Sequence, residues 1–119
     1  MVLVDTSVWI THLRSGDAHL RELLQSGWVT CHPYVIGELA CGRLDQRAEI
    51  LENLQRLPVA GIADHDEALQ FIDRHRLWGG GLGFIDVHLL ASACLEHAPL
   101  WTHDKHLAAA AESLGVSYR

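Results

Sequence analysis

Cysteine is scarce and odd in number: Cys31, Cys41 and Cys94 are three thiols in 119 residues, with no C-x-x-C spacing among them. That excludes a disulfide framework and a zinc knuckle, and the thiols are expected as small interior residues. Long apolar runs are missing too. The stretch from Leu89 to Leu95 is interrupted by Ser92 and bracketed by Asp86, His88 and Glu96, so no segment reads as a bilayer-spanning helix. Met1-Val2-Leu3-Val4-Asp5 has no basic segment ahead of its apolar residues and meets an acid at once. This is not a secretory leader pattern, and a cytoplasmic chain without membrane association is expected. Positive charge is in deficit, with a formal net charge of -6. Such a balance argues against gripping nucleic acid by bulk electrostatics, which depends on Lys and Arg displacing counterions. The objection weakens if the acids crowd into one metal-loaded pocket while the arginines and Lys105 lie around it, because net charge does not set the local field.

What is present is globular: 49% of residues are hydrophobic and 20% charged, and the length suits one domain over 1–119, with no repeat or low-complexity linker. Val2-Leu3-Val4 reads as a strand, followed by the polar turn Asp5-Thr6-Ser7 and a helix from Val8 to Leu13 closed by Gly16. Asp17 can cap a second helix through Leu20, Leu23 and Leu24 that ends at Gly27, and Trp28 to Cys31 reads as a second strand. Pro33 opens a helix through Ala40 that stops near Gly42 and carries Glu38. Residues 45–56 form an amphipathic helix, Val59 to Ile62 a weak strand candidate, and Asp64 to His75 a helix capped by its acids. Trp78 to Gly83 is too rich in glycine for regular structure. A helix from Phe84 or Ile85 to His97 follows, then the strand Leu100-Trp101-Thr102, a helix from Leu107 to Leu114, and a last strand candidate at Val116 to Tyr118. Strands alternating with helices imply α/β architecture, a mainly parallel sheet between helix layers.

Ligands in such sheets collect beyond the carboxyl ends of the strands. Asp5 and Asp104 both follow a short apolar strand, while Asp86 begins a helix and Glu38 stands mid-helix between Ile36, Leu39 and Ala40, a setting more apolar than a surface glutamate usually has. Singly, Asp5, Asp86 and Asp104 are each as readily helix caps. Brought together, the carboxylates would repel one another unless a hard cation neutralised them. Mg²⁺ or Mn²⁺ suits oxygen ligands and can promote hydrolysis of a phosphodiester. Thr6, Ser7 and Thr102 could then hold a carboxylate or a phosphate oxygen in place. The histidines lack helix-borne zinc spacing, no G-x-S-x-G elbow is present, and the tryptophans are expected in the core, with Trp78 the one able to stack a base or meet a partner.

The run Val2-Leu3-Val4-Asp5-Thr6-Ser7-Val8-Trp9-Ile10 resembles the opening of PIN-domain proteins, especially VapC-type toxins. Glu38-Leu39 followed by Gly42 is similar to the family's E-L-x-x-G segment, Phe84-Ile85-Asp86 through Ala93 to its third acid on a helix, and Leu100-Trp101-Thr102-His103-Asp104 to its T-x-D block. The resemblance spans almost the whole chain. It implies a three-layer α/β/α sandwich, an acidic Mg²⁺ or Mn²⁺ site made by Asp5, Glu38, Asp86 and Asp104, and support from Thr102 with Thr6 or Ser7. It also implies RNA cleavage by a metal-activated water, a homodimer, and inhibition by a cognate antitoxin. His103 departs from the arginine frequent at that position, which touches only a phosphate contact. Two other classes compete: a receiver-like Mg²⁺-binding signalling domain, which needs two adjacent acids where Asp5 stands alone, and an inactive PIN fold serving as a binding module.

Overall fold

The computed structural model describes residues 1–119. The order is β1 (Val2–Val4), α1 (Thr6–Ser15), α2 (Ala18–Gln25), β2 (Val29–Thr30), α3 (Pro33–Cys41), α4 (Arg47–Gln55), α5 (His65–His75), α6 (Phe84–Glu96), β3 (Leu100–Trp101) and α7 (Lys105–Ser113). The three strands form one parallel sheet in the order β2-β1-β3. Val2, Leu3 and Val4 are all buried. Since successive strand side chains point to opposite faces, helices cover both sides of the sheet, the α/β/α layering the sequence suggests.

The weak strand candidates at Val59 and Val116 shrink to single parallel bridges, Cys31↔Val59 and Leu100↔Ser117, one on each side of the sheet. Backbone bonds hold them there: Cys31 N–H to Pro58 O at 2.8 Å and Leu100 N–H to Val116 O at 2.7 Å. Pro58 has no N–H to give, and each segment makes one rung before leaving the sheet. The start and stop signals behave as their chemistry dictates. Asp17 accepts from Leu20 N–H, and Asp64 and Glu67 close a reciprocal capping box on α5. Gly16 takes φ +78° after α1, a left-handed turn that a side chain resists. The last helix starts at Lys105, two residues earlier than its apolar periodicity suggests, because Asp104 caps it.

One buried cluster of 18 residues draws on every element except α5, whose Phe71 packs against it. Its spine is α6, where Val87 to Ala93 are buried without a break. The expectation for cysteine holds only for Cys31: Cys94 is half-buried and Cys41 exposed. That for tryptophan holds for Trp9 (3% exposed), whereas Trp28 and Trp78 stand 55% and 64% open. Both are loop residues beside glycine, where no face of a helix or strand turns them inward.

Two imidazoles lie in the interior. His32 caps α3, its Nδ1 accepting from Tyr34 N–H at 3.0 Å, which places its own proton on Nε2, buried without a partner. Burial, then the nearby His88, pushes the His32 pKa down to about 4. The unfolded chain therefore takes up this proton first. Stability is full above about pH 6.5 and falls toward pH 4, by at most about 1.4 kcal/mol per pH unit from this group. His32→Asn keeps a cap acceptor but cannot titrate, so its melting temperature should fall less between pH 7 and pH 5 than that of the parent. Equal falls would rule out His32 as the source.

Candidate metal centre

The carboxyl edge of the sheet is built by β1 and β3 lying side by side. Val4 pairs with Trp101, and Asp5 N–H donates to Trp101 O at 2.9 Å. The next residue of each strand, Asp5 and Thr102, therefore leaves the sheet at the same level. Thr102 Oγ1 and Ser7 Oγ both donate to Asp5 Oδ2, each at 2.7 Å. The same hydroxyls accept backbone protons, Ser7 from His103 N–H and Thr102 from Asp104 N–H, both at 3.0 Å. With each hydroxyl proton committed to Asp5, the 3.2 Å approach of Ser7 and Thr102 is proximity, not a further bond. Asp5 opens α1 by position but caps nothing with its side chain; it is held as an acceptor, 6% exposed.

The other three acids arrive from helices. Glu38 Oε1 accepts from Thr6 Oγ1 at 2.7 Å, across the contact between α1 and α3. Asp86 Oδ2 accepts from Gly83 N–H at 2.9 Å, and Asp104 Oδ1 from Leu107 N–H at 2.9 Å. The capping interpretation is thus correct for Asp104, and Asp86 satisfies a donor at its own helix start. In every case only one oxygen is used. Asp5 Oδ1, Glu38 Oε2, Asp86 Oδ1 and Asp104 Oδ2 have no hydrogen bond from the protein.

The four acids also act on one another through their charges. The Asp86 pKa is raised, first by burial and then by the charges of Asp5, Asp104 and Glu38, against the lowering effect of Gly83 N–H. No basic side chain forms an ion pair with them, for the ion pairs of the chain are Arg56–Glu52 and Arg119–Glu112, both on the surface. The four acids and Thr102 thus lie toward one edge of the sheet, near enough for the charges of Asp5, Asp104 and Glu38 to act on Asp86. Glu38 departs from expectation in its setting: it is exposed, not wedged among apolar residues, because its side chain leaves α3 toward Thr6. No three His, Cys, Asp or Glu side chains stand close enough to grip one ion together. The donor set fits a cation that keeps much of its own water and takes one or two carboxylates directly, as Mg²⁺ does, and does not fit a dry cage.

Sequence reasoning missed the surroundings of Glu38 and Asp86. Tyr34 and Phe84 are exposed by 39% and 42% beside them, and His88 packs beneath both rings. The available signal was spacing, Tyr34 one turn before Glu38 and Phe84 two residues before Asp86.

Comparison with known proteins agrees with this architecture. The PIN domain family matches residues 2–113. Ribonuclease VapC32 of Mycobacterium tuberculosis, in strains CDC 1551 and H37Rv, is 51% identical over 118 residues, which are 98% of this chain and 95% of the relative. The crystal structure of PAE2754 from Pyrobaculum aerophilum superposes with a TM-score of 0.65 at 21% identity, over 95% of this chain and 90% of that one. The last is a likeness of fold alone.

Proposed function

This chain belongs to the PIN-domain family, and from that membership together with the converging carboxylates we propose that it is a metal-dependent endoribonuclease, the toxin half of a toxin–antitoxin pair. The observation that carries the proposal is the division of labour within each acid: one oxygen is tied to the protein, and the other is left for a ligand. Asp5, Glu38, Asp86 and Asp104 are the residues that would hold Mg²⁺ or Mn²⁺, directly or through water. Bound there, the cation supplies polarisation of the phosphodiester and activation of a water.

The chain's own contribution is positioning. Ser7 and Thr102 fix the Asp5 carboxylate from the same side, and their two accepted N–H bonds fix the hydroxyls in turn. Thr6 does the same for Glu38 from the first turn of α1. Ser7 and Thr102 act as positioning residues and not as nucleophiles, because each hydroxyl is committed to orienting Asp5, whose carboxylate is too weak a base to ionise an alcohol. Water adds to phosphorus, the P–O bond to the sugar breaks, and the departing oxygen takes a proton. One PIN domain over residues 1–119, working in the cytoplasm as a homodimer and silenced by an antitoxin laid over the acids, completes the proposal. Its relative's name, ribonuclease, supports the substrate. The receiver-like alternative lapses with the family membership, and the inactive binding module finds no missing acid to support it.

Purified protein incubated with a mixed RNA pool should cut in Mg²⁺ or Mn²⁺, stop on addition of EDTA, and resume when the cation is returned in excess. Cutting that continues in EDTA would assign the activity to something else.

A further inference from the structure

Beside the acids runs an apolar groove of about 480 Å³, walled by Tyr34, Gly37, Glu38 and Cys41 of α3 and by Phe84 and Ile85 of α6. Two features tie it to the site. Glu38 belongs to both, and Phe84-Ile85-Asp86 is one continuous first turn, so whatever fills the groove abuts the carboxylates. The aromatic walls are also braced. The Tyr34 and Phe84 rings each meet the buried His88 ring edge to face, with centroids 4.8 Å and 4.7 Å away and planes inclined by 76° and 87°. Both rings keep an exposed surface.

We propose that this groove takes one nucleobase of the RNA, next to the phosphate that lies at the acids, held against Tyr34 and Phe84. The inference rests on the ribonuclease reading and names a subsite for it. Charge selects the occupant. The single charged group in the lining is Glu38, which repels phosphate, and no Lys or Arg borders the groove. The sugar–phosphate chain is thereby kept out, and the uncharged, flat part of a nucleotide is what an apolar slot beside a carboxylate accepts. Every base has a π-face, so stacking of this kind tolerates sequence and fixes geometry instead. A base seated there anchors the strand one nucleotide from the reacting phosphate, which is positioning of the scissile bond.

Gly37 supplies the test. A Cβ built there meets nothing within 4 Å, so a side chain can start there, and Gly37→Leu puts apolar bulk into the groove while favouring the helix. Phe84→Leu removes the flat ring at similar volume, and Phe84→Trp restores one. The probe is a set of short RNAs carrying 2-aminopurine at successive positions, mixed with protein and Mg²⁺ in a stopped-flow fluorimeter and read before cutting. Parent and Phe84→Trp should quench one position strongly; Gly37→Leu and Phe84→Leu should not. KM for the RNA should rise about tenfold in the latter pair with kcat little changed, and melting temperatures check that both are folded.

If the parent cuts RNA while Gly37→Leu quenches and cuts as well as the parent, the subsite is refuted and the ribonuclease function stands. If the parent neither quenches nor cuts in Mg²⁺ or Mn²⁺, both fail. A change of solution mass in Gly37→Leu, measured by light scattering, would give the groove to a second copy of the chain and overturn the assignment.

Discussion

Asp5→Asn should lower RNA cleavage by about a thousandfold while leaving the protein at least as stable as before. The two halves of this expectation have different origins. Asparagine keeps an oxygen to accept from Ser7 and Thr102, so the hydroxyl network around residue 5 survives. What it loses is the buried negative charge on which the proposed cation site relies, and losses of this order follow removal of such electrostatic groups from an active site. In the absence of metal the same charge is a burden on the fold: it presses on Asp86 together with Asp104 and Glu38, with no basic residue in an ion pair with any of them. Removing it relaxes that repulsion. Initial rates in Mg²⁺ and melting temperatures in EDTA, taken on the same preparations, separate the two. A melting temperature that drops along with the rate would mean that Asp5 holds the fold and that its link to chemistry is indirect.

The largest loss of stability is expected inside α6. Leu89 is completely buried in the helix whose run from Val87 to Ala93 has no exposed position. Leu89→Ala removes packing from several elements at once and leaves a cavity that so crowded a helix cannot close, so it should cost about 2–5 kcal/mol. For a chain of this size that is a fall in melting temperature of roughly 10–20 °C. Leu95→Ala, six residues on in the same helix at a side chain 66% exposed, should change stability by about half a kcal/mol or less. Chemical denaturation curves of both variants give the comparison directly. Similar losses at the two positions would mean that the exposed end of α6 is covered in solution.

Elements with a chemical start or stop could be read from the sequence with little error. Asp17, Asp64, Pro33 and Gly16 each mark a boundary through a local requirement, a cap acceptor, a preset φ or a left-handed turn, and the structure uses each one near the helix end it marks; Gly42 also ends its helix, but in extended backbone that asks nothing special of glycine. The segments at Val59 and Val116 were harder because an outer strand is decided by how many rungs it finds on its neighbour, and each finds one. Asp5 and Asp104 were visible for the same local reason as the caps, since each follows a strand. The chain neighbours of Glu38 suggest an apolar setting that it does not have; its partner Thr6 is 32 residues away, and nothing local announces it. Tyr34, Phe84 and His88 show the limit most clearly. Along the chain they look like ordinary core residues, and only the approach of α3 to α6 leaves two rings open and one imidazole beneath them.

The order in which the acids occur has a consequence for synthesis. Asp5 follows the first strand, but its Thr102 partner and the fourth acid follow β3, which is itself bonded to Val116 and Tyr118. A nascent chain that has passed Glu38, or even Asp86, still has an open edge where β3 belongs and a carboxylate with half its hydrogen bonds missing. The edge that carries Asp5 is therefore completed only when residues 100–118 close the sheet. A chain interrupted before β3 lacks Thr102 and Asp104 and leaves the Asp5 carboxylate held by Ser7 alone.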